Sequence, residues 1–190
     1  NIINTSTFDT LTLEDLLKVT WNTTLNWDVL ITWSGQLHHS TWDYTYHTLN
    51  IEGDVENNGK IWWNSSAQAQ RLLIHFKWDV INNGSVSYVH QTYLYGDLTN
   101  GLDSSWSWNT YIHDTVTDGI RTIIPSENFK PNLYLNWDVE LLWDIDFKFT
   151  TYLQNHTLYV DGSKEIYLEY PHTWKVMSSN TSWDGESIST

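Results

Sequence analysis

The chain has 190 residues, enough for a sizeable core, with 13 Trp, 11 Tyr and no Cys, and a formal charge of −14 from 23 acidic against 9 basic side chains. The lack of Cys excludes thiol catalysis, cysteine zinc sites and a disulfide framework, and the acidic excess argues against nucleic acid or an anionic membrane as partner. No run approaches the ~18 apolar residues of a membrane-spanning helix, so no membrane-spanning segment is expected.

Residues 1–12 form a polar, Thr-rich N-terminal arm with isolated Ile2, Ile3, Phe8 and Leu11. The arm has no partner in the repeat described below, and it is β-prone enough to act as a donor strand for a neighbouring subunit. From Leu17 the apolar residues alternate with polar ones, the signature of strands whose successive side chains face opposite ways. Leu25, Trp27, Val29, Ile31 and Trp33 share one face, and Ser34-Gly35 closes that strand. A strand from Trp42 to Ile51, a turn over 52–59 and short strands near Lys60 and from Leu72 to Val80 follow. Asn82-Asn83-Gly84 reads as a tight hairpin turn. Trp106, Trp108, Thr110 and Ile112 line a further strand, and Pro125 stops the one at 120–124. Between Leu133 and Thr151 nine apolar residues occupy every odd position from 133 to 149, which predicts one very long strand. Three short strands and a polar tail over 178–190 complete the chain.

Leu25-Asn26-Trp27-Asp28-Val29 recurs as Leu135-Asn136-Trp137-Asp138-Val139, and Trp78-Asp79-Val80 is a third, shorter copy. Each is followed downstream by a similar phrase, at His47, His90 and His156. The chain is therefore expected to be a single all-β domain over 13–177, an antiparallel sandwich or flattened barrel with long strands. It is built from three related β-meander repeats near 25–64, 76–109 and 135–170, with Trp27, Trp78 and Trp137 facing a shared core.

The chemistry-bearing residues point to no enzyme. No phosphate loop, nucleophile elbow or zinc-protease motif is present. His47, His90 and His156 share a place in the three copies and would converge on one zinc ion only in a threefold fold. Asp138, Glu140, Asp144 and Asp146 line one face of the long strand. They are the weak candidates for a metal, with calcium as the fitting ion, although no cofactor is required. A carboxylate pair beside Trp suits glycoside hydrolysis, but no local motif supports it.

The chain starts at Asn1 rather than Met, which reads as a processed chain. N-x-S/T sequons begin at Asn4, Asn22, Asn64, Asn83, Asn155 and Asn180, mostly at expected turns, so these are the expected glycosylation sites of an extracellular or cell-surface protein. The leading expectation is a secreted, glycosylated structural protein that forms filaments or surface layers with itself by β-strand addition. The alternative is a lectin-like module that binds glycans on Trp and Tyr platforms.

Overall fold

The computed structural model describes residues 10–39, 45–63, 71–113, 121–126, 128–141, 145–147, 151–152, 156, 158–160 and 166–168. They wind into eight successive coils of a parallel β-solenoid. The first coil holds β1 (Thr10–Leu13), β2 (Leu16–Val19) and β3 (Thr23–Leu25). The second holds β4 (Asp28–Ile31), β5 (Gln36–His39) and β6 (His47–Ile51), and the third β7 (Val55–Asn57), β8 (Lys60–Trp63) and β9 (Leu72–Phe76). The fourth holds β10 (Val80–Asn82), β11 (Ser85–Ser87) and β12 (Gln91–Leu94). The fifth has β13 (Leu98–Asn100) and the longer β14 (Ser105–Ile112), and the sixth has β15 (Arg121–Ile124) and β16 (Asn128–Leu135). The seventh has β17 (Val139–Leu141), β18 (Ile145–Phe147) and β19 (Thr151–Tyr152), and the eighth β20 (Leu158–Val160) and β21 (Ile166–Leu168).

Among the described residues every strand pairs with its counterpart one coil away, and every pairing is parallel. The first face is the sheet β1-β4-β7-β10-β13-β15-β17-β20. The second and third faces are joined through β14, whose first half pairs with β11 and whose second half pairs with β12. The bend falls at Trp108, which has φ 84°, and the equivalent bend one coil earlier falls at Tyr88, with φ 57°. Both are large side chains in the left-handed region, at the place where the chain turns from the second face to the third.

This corrects the expected antiparallel sandwich of three β-meanders. Strands adjacent in sequence do not pair with each other. The connection that a parallel pair requires is here the remainder of the coil. Asn82-Asn83-Gly84 is not a hairpin but the corner between β10, on the first face, and β11, on the second. The expected single strand from 133 to 151 is divided among the end of β16, β17, β18 and β19, which lie in different sheets. Alternation can run on across corners, because successive strands of one coil turn the same set of side chains toward one central core, as buried Val80, Val86, Thr92 and Leu94 do. A period of two therefore cannot distinguish one long strand from a coil of short ones.

The core is a set of columns parallel to the solenoid axis. Ile51, Phe76, Leu94, Ile112 and Leu135 stack in register on the third face. Val29, Val55, Val80, Leu98 and Ile123 do the same on the first. All of these are buried, and so is Trp106, whose indole nitrogen donates to Thr110 Oγ1 at 2.9 Å. Each fully buried Val, Leu, Ile or Phe contributes about 1.5–3 kcal/mol relative to exposure.

One buried column is polar. Asn57 Nδ2 donates to Asn82 Oδ1 at 2.8 Å, and Asn82 Nδ2 donates to Asn100 Oδ1 at 2.9 Å. Asn100 Nδ2 ends the ladder on the carbonyl of Ile124. Each amide thus satisfies its neighbour one coil on, which is what burial of an amide demands.

Candidate functional site

Two outer features stand out: a stacked column on the third face and a tryptophan-bearing corner before the first. The column is His75, Tyr93, Tyr111, Tyr134 and Tyr152, one residue from each of five consecutive coils. Consecutive ring centroids lie 4.3, 5.1, 4.5 and 4.6 Å apart, with interplanar angles from 8° to 19°. The strand spacing of a sheet is close to a stacking distance, so in-register aromatic residues fall onto one another. A second column beside it runs Lys77, Tyr95, His113 and Asn136. Lys77 Nζ sits 3.9 Å from the Tyr95 ring centre, Tyr95 stacks on His113 at 5.2 Å, and His113 Nε2 meets Asn136 Nδ2 at 3.1 Å.

The polar atoms of this face are tied to each other. Gln91 Nε2 donates to Tyr111 Oη at 3.1 Å, Asn132 Nδ2 donates to Asn109 Oδ1 at 2.9 Å, and His75 Nδ1 lies 3.1 Å from Tyr95 Oη. Burial, then Lys77 and His113, depress the His75 pKa to about 4. Burial and Lys77 lower that of His113. Burial first, and then neighbouring tyrosines, raise the phenols of Tyr93 and Tyr134. Near neutral pH these imidazoles and phenols carry no charge. Each internal ring has both of its π-faces occupied by the next coil, so the tyrosine column is a stabilising stack and not a row of open platforms.

The corner before the first face has a different character. Asp28 Oδ1 accepts the backbone N–H of Asp54, Asp54 that of Asp79, Asp79 that of Asp97, and Asp97 that of Thr122, at 2.8, 3.1, 2.8 and 2.9 Å. The residue before each aspartate alternates: Trp27, Gly53, Trp78, Gly96. Trp27 is 41% exposed and Trp78 57% exposed, which overturns the expectation that they face the core. Trp137 is half-buried, packed against the core and 6.1 Å from the His156 ring. Its strand enters two residues out of step, because Val139 pairs with Arg121 whereas Leu98 pairs with Ile123.

The carboxylates expected to share one strand face do not lie on one strand. Asp138 precedes β17 and lies 3.5 Å from His156 Nδ1, Glu140 is in β17, and Asp146 is in β18 of another sheet; Asp144 lies outside the described residues. Among the described residues no group of three His, Asp or Glu is placed to hold a metal ion. The three histidines do not converge: His47 lies against Trp21 and His39, His90 against Tyr46, and His156 against Trp137.

Of the sequon residues, Asn22 and Asn83 sit on exposed corners, while Asn4, Asn64, Asn155 and Asn180 lie outside the described residues. Leu11 belongs to β1, opposite Val29, so residues 10–12 of the expected arm are part of the first coil. Ile2, Ile3 and Phe8 lie outside the described residues, as does the tail. No described helix is long and apolar enough to cross a membrane. Sequence reasoning missed the aspartate corner. Its signal was the Asp-Val or Asp-Leu pair after Trp or Gly at 28, 54, 79 and 97, and spacings of 26, 25 and 18 residues concealed it. No family model, curated protein or solved structure matches the chain.

Proposed function

We propose that the chain is a non-catalytic structural subunit of a cell exterior, a secreted glycoprotein that assembles with itself into filaments or layers by strand addition. The observation that supports this reading is the uniformly parallel, coil-on-coil pairing of the described strands. Among the described residues β1, β2 and β3 pair only with β4, β5 and β6, while β19, β20 and β21 pair only with β16, β17 and β18. Because all the described strands run parallel, a coil edge left unpaired at one end of such a stack is the edge that the opposite end of another copy would require. Unpaired edges of this kind are templates for a further chain. A head-to-tail contact does not close on itself, so it propagates.

The exposed corners at Asn22 and Asn83 leave room for glycans beside such an axis. The acidic surface repels its own copies at low ionic strength, and salt screens that repulsion over about 10 Å at 0.1 M.

Light scattering and negative-stain electron microscopy across a concentration and salt series test the proposal. Rods longer than the ~40 Å that eight coils span at the usual strand spacing should appear and lengthen with salt. A particle that stays a single chain in concentrated solution and high salt would refute it. Intact-mass measurement of protein from its native source should show hexose-bearing species, with Asn22 and Asn83 occupied.

A further inference from the structure

We infer that Trp27 and Trp78 form a two-platform site for an extended, neutral, β-linked polysaccharide running along the solenoid axis. This goes beyond the assembly reading and does not depend on it. The two residues hold the same corner position two coils apart, since Val29, Val55 and Val80 are in register. At the usual strand spacing two coils advance about 9.5 Å. That is close to the interval between every second ring of a ribbon-like pyranose chain, in which alternate sugars present the same face.

The corner position between the indoles is Gly53, and the one beyond Trp78 is Gly96. A side chain cannot occupy either place. A Cβ on Gly53 would stand 2.5 Å from the Asp28 nitrogen and 2.6 Å from the Trp27 carbonyl carbon, and one on Gly96 would stand 2.4 Å from the Trp78 carbonyl carbon. The close backbone approach of the aspartate corner thus leaves no side chain at the corner positions on either side of Trp78. This is the reverse of the tyrosine column, where every internal ring is covered. The exposed part of each indole offers the apolar, electron-rich surface on which the C–H face of a sugar ring packs.

The chemistry around the indoles selects the ligand's charge. Asp28, Asp54, Asp79 and Asp97 line the corner, each using one oxygen on a backbone N–H. An ionised carboxylate has about four acceptor positions, so acceptors remain for sugar hydroxyls, which are donors. The same carboxylates repel an anionic polymer.

Isothermal titration of the full chain with cellohexaose, maltohexaose and carboxymethylcellulose tests the inference. Cellohexaose should bind, while maltohexaose, whose α-linkages curl the chain, and the anionic polymer should bind at least about tenfold more weakly. Truncating either anchor should weaken cellohexaose binding about tenfold or more, as for buried aromatic hot spots, and W27A/W78A should abolish it. W27Y/W78Y keeps an aromatic platform and should retain binding, which guards against misfolding of the alanine variants. W33A removes an exposed tryptophan from a different corner and should bind as the parent does. Absence of cellohexaose binding, equal binding of maltohexaose, or unchanged binding by W27A/W78A overturns the proposal. Loss of binding in W33A does the same.

Discussion

At the scale of single residues the buried amide ladder sets the tightest constraint. Asn82 is fully buried and is the middle rung: it accepts from Asn57 and donates to both Asn100 Oδ1 and the Ser105 carbonyl. Removing its side chain deprives two buried amides and the part-buried Ser105 carbonyl of a partner. Asn57 Nδ2 keeps a 3.3 Å contact with the Ser85 carbonyl, but Asn100 Oδ1 and the Ser105 carbonyl lose what Asn82 gave them. An orphaned buried polar group costs about 1–3 kcal/mol, so Asn82→Ala should destabilise by roughly 2–5 kcal/mol. Asn100→Ala should cost less, because Asn82 Nδ2 would keep the Ser105 carbonyl. Urea unfolding monitored by fluorescence measures both, and equal losses at the two positions would show that the ladder is not the source of the stability.

At the scale of the element, the aromatic column makes one face sensitive to acid. His75 caps the column, with Tyr93 stacked on it, Tyr95 at its Nδ1, and the Lys77 ammonium and the His113 imidazole nearby. In the folded chain it stays neutral down to about pH 4, whereas an unfolded imidazole protonates near 6.5. Between those values the unfolded state binds more protons, so stability falls as pH drops through that window. His113 and His38 shift the same way, the first through burial and Lys77, the second through burial and Lys18. The urea midpoint should therefore decrease from about pH 7 to pH 5, and His75→Gln should flatten part of that decrease. A midpoint that rises on acidification over this range contradicts the assignment.

The same strands show what the sequence could and could not disclose. Alternation at Leu72, Ile74 and Phe76, or at Leu133 and Leu135, exposed the inward rows and hence the all-β class. Strand direction leaves no such trace, because a parallel and an antiparallel strand with one buried face alternate identically. The corner at Asn83-Gly84 has hairpin composition yet turns the chain only to the next face. The tyrosines at 93, 111, 134 and 152 gain meaning only once the register brings them into one column.

At the scale of the whole molecule, stability is carried by contacts between adjacent coils. Such a solenoid behaves as a nearly one-dimensional array, in which each unit depends chiefly on its neighbours. A complete coil is then removable, provided that the cut respects the register. Residues 80–97 are such a unit: Asp79 and Asp97 are equivalent corner residues 18 positions apart, and Val80 pairs with Leu98. Deleting 80–97 joins Asp79 directly to Leu98. The deletion brings Asn57 beside Asn100 in the amide ladder, His75 beside Tyr111 in the aromatic column, and Phe76 beside Ile112 in the core. Each of these is a like-for-like replacement of the neighbour that was lost. The shortened chain should therefore retain a β-type circular dichroism spectrum and a cooperative, though weaker, unfolding transition. Deleting half as many residues from the same point should unfold the protein, because the remaining strands would meet corners and inward rows would meet outward ones. Equal tolerance of the two deletions, or equal collapse, would show that the coil is not the unit of the fold.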